Sequence, residues 1–388
     1  MARTLKSDKW LLWATLALLG ISLVMVFSAS ARWSDVRFDS QYRFLLKQAA
    51  FVGGGLVLML IGMRVDYHVF KKPVIIWTLV GTTLVFLLAV FAFAPINGTR
   101  RWISIPGFTL QPSEIAKLTA VFFTAALLER RMHRIDDLTY ALLPVGILVA
   151  VFSGLIVMQP DFGTSAALGG VVLAMVFAAG LSFRYLAITI SVLLPLAGLA
   201  IYLERYRFER FMIFLDPEKD PFGLGFQLRQ SLIAVGSGGP LGRGFMEGVQ
   251  KLFYIPEPHT DFIYAVISEE TGLIGSTVIL GCFVVIAMRG LRASMSAPDR
   301  FGSLLALGLT AMLAAQAFVN MSVVIGLLPT KGIPLPFVSN GGSSMLVSLF
   351  AMGILLNITQ HASAVDADGR VQRVASAVTT EDPLGVRA

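Results

Sequence analysis

Cysteine is almost absent from this chain. Cys282 is the single one and lies inside an apolar run, so disulfides, cysteine-built zinc sites and thiol catalysis have no material. It reads as a small core residue. Charge is scarce too: 14% of the 388 residues are Asp, Glu, Lys or Arg, against roughly a quarter in an ordinary soluble domain. No strand-flanked G-x-G-x-x-G and no Walker A sequence occurs. No nucleotide cofactor is therefore expected, and the chain is not expected to power itself with ATP.

What is present is apolar sequence, 56% of the chain, in runs of about twenty, the length a helix needs to cross a hydrocarbon core of about 30 Å. The runs fall near residues 10–29, 45–63, 73–94, 113–128, 139–158, 163–180, 184–203, 263–288, 302–325 and 343–360. The fold class expected is all-α: a polytopic integral membrane protein with ten transmembrane helices. Arg3, Lys6 and Lys9 precede the first run as they would a signal peptide, but the run is too long for an h-region and is read as a retained helix. The layout expected is an N-terminus over 1–9, the ten-helix domain over 10–360, and a polar, disordered tail over 361–388.

An even number of spans puts both termini on one side. Arg64, Lys71, Lys72, Arg130, Arg131, Arg134, Arg184, Arg289 and Arg292 fall on that side; fewer basic residues, among them Arg43, Lys47, Arg100, Arg101 and Lys331, fall opposite. The positive-inside rule then makes both termini cytoplasmic. The net charge of +7 meets anionic membrane lipid there, without calling on nucleic acid.

Residues 204–262 make one external segment of about sixty residues between spans seven and eight, a length that is usually functional or disordered. Phe208, Phe211, Phe214, Phe226 and Leu228 argue for folding against the membrane's outer face. YRFERFMIFLDP suits either a short interfacial helix or an extension of span seven. FQLRQSLIAV reads as a second amphipathic helix, and GSGGPLGRG (236–244) as a flexible loop whose backbone can approach a ligand.

Charged groups within or beside apolar runs are costly and mark candidate sites. Pro112 opens span four, and Glu114 and Lys117, three apart, share a face. They form either a structural ion pair or a substrate-facing pair. Arg101 beside Arg100 suits phosphate, and Trp102 a sugar or lipid head; an interfacial belt explains them equally. Asp161 reads as a helix-start carboxylate. In PEPHTDF, Thr260 or Asp261 could cap span eight. Capping leaves Glu257 and His259 unexplained, and a carboxylate beside basic loops suits a general base. Which of Glu269 and Glu270 faces the bundle stays open.

Taken together, NGTRRWI, QPSEIAKL, QPDFGT, LDPEKDPFGLGFQLRQS, GSGGPLGRG, PEPHTDFIYAVISEETGLIG and LLPTKGIPLPFVSNGGSS resemble, in order, the motifs of the SEDS family (shape, elongation, division and sporulation). Asn340 departs from the tyrosine usual before GGSS. The resemblance implies ten transmembrane helices, a long external loop with an essential aspartate at Asp261, and glycosyltransferase activity. The growing glycan is transferred onto the 4-hydroxyl of lipid II, and undecaprenyl diphosphate is released. The substrate-binding candidates are Arg101, Trp102, Glu114, Lys117, Glu257, His259, Lys331 and Ser343. A divalent cation, Mg or Mn, is implied without assigned ligands. The partners implied are a class B penicillin-binding protein transpeptidase and other divisome proteins. LLPTKG and QKLFYIPEPHTDF favour the division branch; LDPEKDP and KGIPLP lean towards elongation. The rival readings are a lipid II transporter and a non-catalytic division scaffold.

Overall fold

A computed structural model describes residues 7–380 except Asn97, Pro106, Gly107, Pro221, Phe222, Leu224 and Phe253. Helices dominate. In order they are α1 (Lys9–Phe38), α2 (Arg43–Arg64), α3 (Pro73–Ala89), α4 (Pro112–Arg131), α5 (Leu143–Met158), α6 (Phe162–Ala178), α7 (Phe183–Tyr202), α8 (Arg205–Leu215), α9 (Phe226–Gly238), α10 (Ile263–Ser296), α11 (Arg300–Val324) and α12 (Gly342–Thr380). Among the described residues eight helices are long and apolar enough to cross a membrane, and the chain is a multi-pass membrane protein. Each of the ten apolar runs falls on a helix. The two outside the eight are α4, which carries Glu114 and Lys117, and α6, which is 17 residues long.

Between α3 and α4 the chain forms a two-stranded antiparallel ribbon, β1 (Ile103–Ile105) paired with β2 (Phe108–Leu110), Ile103 opposite Leu110, a small addition to the all-α expectation; its alternating β-branched residues favour this over helix. Helical backbone continues into the polar tail as far as Thr380. Alanines at 362, 364, 367, 375 and 377 give that segment helix propensity despite its polarity. Residues 381–388 lie outside the described residues.

Local sequence starts the helices. Pro73 and Pro112 sit in the first turns of α3 and α4, where a missing N–H costs nothing. Asp8, Asp161 and Asp299 accept backbone N–H bonds at the starts of α1, α6 and α11, as N-caps do. Small residues set the packing of α2 on α12: a Cβ on Gly353 would lie 2.3 Å from the Met59 carbonyl, and one on Gly62 3.1 Å from that of Phe350. Such close backbone approach is the usual basis of helix association in lipid. At the edge, α7 buries no residue and presents Leu194 and Leu199 outward.

The long segment between α7 and α10 is folded. Its first part is a separate helix, α8, after a break at Leu203–Glu204, which decides against a simple extension of α7. The glycine-rich loop after α9 contacts protein rather than leaving its backbone open. α10 breaks at Gly272, whose φ is +66°, and the loop fills the break. Leu273 N–H donates to Gly239 O at 2.9 Å, while Arg243 and Gly244 N–H donate to the Glu269 and Glu270 carbonyls at 3.0 and 3.1 Å. A Cβ on Gly272 would stand 2.3 Å from Gly242 N. Side chains fasten the same junction: Lys251 Nζ reaches Glu270 Oε1 at 2.6 Å and Ser28 Oγ at 2.9 Å, and Glu269 accepts from the Val249 and Gln250 N–H groups. Both glutamates are therefore buried structural groups. This junction lies two turns below Asp261.

Candidate active site

Above the break, the segments 256–262, 330–334 and 340–344 enclose a cavity of about 590 Å³ with the loop before α4 and the first turns of α8. Its lining includes Arg101, Trp102, Glu257, His259, Asp261, Lys331 and Ser343. These residues are far apart in sequence and converge because the loops between helices fold back over the bundle.

Asp261 does not cap α10. The cap position is Phe262, and no side chain bonds there. The carboxylate is left at the positive end of the helix dipole, facing the cavity. Burial raises its pKa above the usual aspartate value; the Thr260 hydroxyl, its own backbone N–H and the charges of Arg210 and Arg101 oppose the rise. A carboxylate held up in this way retains proton affinity, as a general base requires.

Positive charge gathers round it. Lys331 lies over the Phe162 ring, 4.8 Å from the centroid, and Gly163 leaves it room, since a Cβ there would come 2.7 Å from Lys331 Cδ. Burial pushes the Lys331 pKa down; Asp161 counters this, and Arg207, Arg210 and Arg101 add to the depression. Arg101 donates to Gln159 O at 3.1 Å and to Pro160 O, and Arg210 to Thr330 O at 3.2 Å. A partly desolvated lysine repelled by neighbouring arginines would gain from an anionic ligand, and a diphosphate supplies the charge and the acceptors.

The remaining candidates divide. His259 is 3% exposed, with its ring 4.4 Å from that of Phe44 and 5.6 Å from that of Trp33. Burial first, then Lys47, lowers its pKa to about 4. It is a neutral packing residue whose carbonyl accepts from Asn340 N–H at 2.9 Å. Glu257 is exposed at the rim with φ +45°, and its carbonyl accepts from the Thr260 hydroxyl at 2.8 Å. Ser343 Oγ accepts from Gln111 N–H at 3.2 Å. Trp102 lines the mouth. Asp161 caps α6 as expected, accepting from the Thr164 N–H and hydroxyl.

Glu114 and Lys117 do not line the cavity. They are 2% and 5% exposed within the bundle; Lys117 Nζ bonds Glu114 Oε1 at 2.8 Å and Gln316 Oε1 at 2.5 Å. Of the two alternatives, the structural ion pair matches the geometry. Sequence reasoning missed Gln316 and Asn320, two polar residues four apart in an otherwise apolar span, by weighing charge and not amides. Among the described residues no three His, Cys, Asp or Glu side chains come together. A divalent cation would find the Asp261 carboxylate, with Glu257 at the rim, as hard oxygen donors of the kind magnesium takes.

A family model described as cell cycle protein, spanning FtsW, RodA and SpoVE, matches residues 9–364. The chain belongs to the FtsW/RodA/SpoVE family. A probable peptidoglycan glycosyltransferase FtsW of Trichlorobacter lovleyi is 42% identical over 92% of this chain and 94% of its own length. Stage V sporulation protein E of Bacillus subtilis, another member, is 40% identical over 91% and 97%. Among solved structures, a chain of a peptidoglycan synthase complex that coordinates polymerization and crosslinking superposes with TM-score 0.76 at 31% identity, over 92% of this chain and 99% of that one. Rod shape determining protein RodA of Thermus thermophilus superposes with TM-score 0.66 at 26% identity, over 92% and 97%. The SEDS resemblance is thereby borne out along most of the chain.

Proposed function

We infer that this chain is a peptidoglycan glycosyltransferase that polymerises lipid II in septal wall synthesis. The observation that carries the reading is one carboxylate, Asp261, with raised proton affinity in a cavity ringed by Arg101, Arg210 and Lys331. The 4-hydroxyl of the incoming lipid II sugar attacks the anomeric carbon of the growing chain's reducing-end sugar. The bond from that carbon to the diphosphate oxygen breaks, and Asp261 takes the hydroxyl proton. Lys331 and the arginines neutralise the departing undecaprenyl diphosphate. Asp261 would hold a divalent cation, which would supply further charge neutralisation. The free energy comes from the diphosphate ester, consistent with the lack of nucleotide motifs.

Ten helices cross the membrane in this reading, with both termini cytoplasmic and the cavity on the outer face, beside the long loop between the seventh and eighth spans. The partner is a class B penicillin-binding protein, which crosslinks the new glycan, within the divisome. The curated FtsW relatives favour division; the fold match to RodA keeps elongation as the second reading.

Polymerisation in detergent separates this from a transporter, because no sealed compartment exists. Purified protein with its transpeptidase partner, incubated with lipid II and magnesium, should give glycan ladders on a gel. Product limited to lipid II movement across sealed vesicles, with no polymer in detergent, would favour the transporter.

A further inference from the structure

Two amides on one face of α11 tie the site together. Asn320, 1% exposed, donates from Nδ2 to the carbonyls of Asp261 and Ile333, both at 2.7 Å. An amide NH2 has two hydrogens, and each has its own acceptor here. The two acceptors lie on different segments, one carrying the carboxylate and the other following Lys331 and Gly332. One helical turn away, Gln316 donates from Nε2 to Pro334 O at 2.9 Å and to Ser344 Oγ at 3.3 Å. Its carbonyl oxygen is taken by Lys117, itself anchored on Glu114. That anchor fixes which way the Gln316 amide points. The buried ion pair, which does not reach the cavity, thus reaches the loop through an amide.

We propose that Asn320 is a positioning residue for glycosyl transfer: its amide bolts the Asp261 backbone to that of Ile333 and so holds the carboxylate against the Lys331–Gly332 segment. Gln316, locked by Glu114 and Lys117, holds the other side of the same loop. Few other arrangements would join a base and a counter-charge from separate loops at fixed separation. A hydrophobic residue at 320 would leave two buried carbonyls without donors, and a carboxylate would face them with lone pairs. The proposal rests on Asp261 acting as the base.

The test uses the full-length protein with its transpeptidase partner, comparing Asn320→Ala, Asn320→Asp, Asp261→Asn and Thr310→Ala. Thr310 is buried on the same helix, hydrogen-bonds only to Ala306 O and packs on Gly290 of α10, so its variant reports lost helix packing away from the site. Both Asn320 variants should lower kcat for lipid II polymerisation by about 10²-fold, the scale of a small misplacement of reacting groups, with KM little changed. In Asn320→Ala the acid limb of the pH profile should move to lower pH as water reaches the loosened carboxylate. Wild-type kcat and pH profile in Asn320→Ala would overturn the proposal. So would a loss that Thr310→Ala reproduces at equal thermal destabilisation. If Asp261→Asn is inactive while Asn320→Ala is normal, only the positioning role falls. If Asp261→Asn turns over normally, the base assignment falls first and takes the positioning role with it.

Discussion

A Cβ on Gly332 would lie 2.8 Å from Asp261 Oδ2. The carboxylate is therefore packed against backbone on the loop that carries Lys331. Any side chain at 332 must push one of the two away. Gly332→Ala should fold and insert normally but lose at least about tenfold in polymerisation rate, since small displacements of reacting groups cost that much or more. Measured rates at saturating lipid II check this; an unchanged rate would show that the contact is incidental.

The raised pKa of Asp261 sets a pH dependence. A base must be ionised to work, so activity should fall as pH drops through a value above the ordinary aspartate pKa of 3.8. Arg210 favours the ionised form, so removing it raises the pKa further. The acid limb of kcat/KM in Arg210→Ala should move to higher pH, read from initial rates across a pH series.

His259 should behave as packing. Its folded pKa of about 4 lies below the ordinary histidine value of 6.5, so the unfolded state binds the proton first as pH falls. The contribution to stability is intact above pH 6.5 and is lost as pH drops towards 4. His259→Phe keeps the aromatic contacts with Phe44 and Trp33 and should retain most activity while losing this pH-dependent component of thermal stability. His259→Ala should destabilise by roughly 1–3 kcal/mol through lost packing. Thermal unfolding in detergent between pH 4 and 7 measures both.

Lys117→Met removes one partner of a buried pair and strips Gln316 of its donor. The uncompensated Glu114 should lower stability by roughly 3–5 kcal/mol, visible as reduced yield and a lower Tm. Arg101→Ala, at the cavity mouth, should leave Tm nearly unchanged and weaken lipid II binding instead.

Much of this was legible in the chain. Run length placed α1–α7 and α10–α12, because backbone groups in lipid must be satisfied within a segment, and the Pro and Asp starts marked where several begin. Asp261, Arg101, Trp102, Glu257, His259, Lys331 and Ser343 do meet in one cavity. What escaped was three-dimensional. The Glu114–Lys117 spacing fixes a shared helix face but not whether that face meets cavity or bundle. The glycines at 239, 242 and 244 signal unusual backbone, yet nothing local says that they fill a break in α10 at Gly272. Gln316 and Asn320 carry no charge, so their cost in an apolar span drew no notice, though it is what makes their donors dependable. The β1–β2 ribbon was too short to stand out beside the apolar runs.

The account turns on one side chain. Asp261→Asn replaces one carboxylate oxygen with an amide NH2 while keeping the size and one acceptor oxygen, so the protein should fold and bind its transpeptidase partner as before. The account predicts that the purified Asp261→Asn complex, given lipid II and magnesium, forms glycan at less than about one hundredth of the wild-type rate, the loss expected for a missing general base. Polymerisation by that complex at the wild-type rate would contradict it.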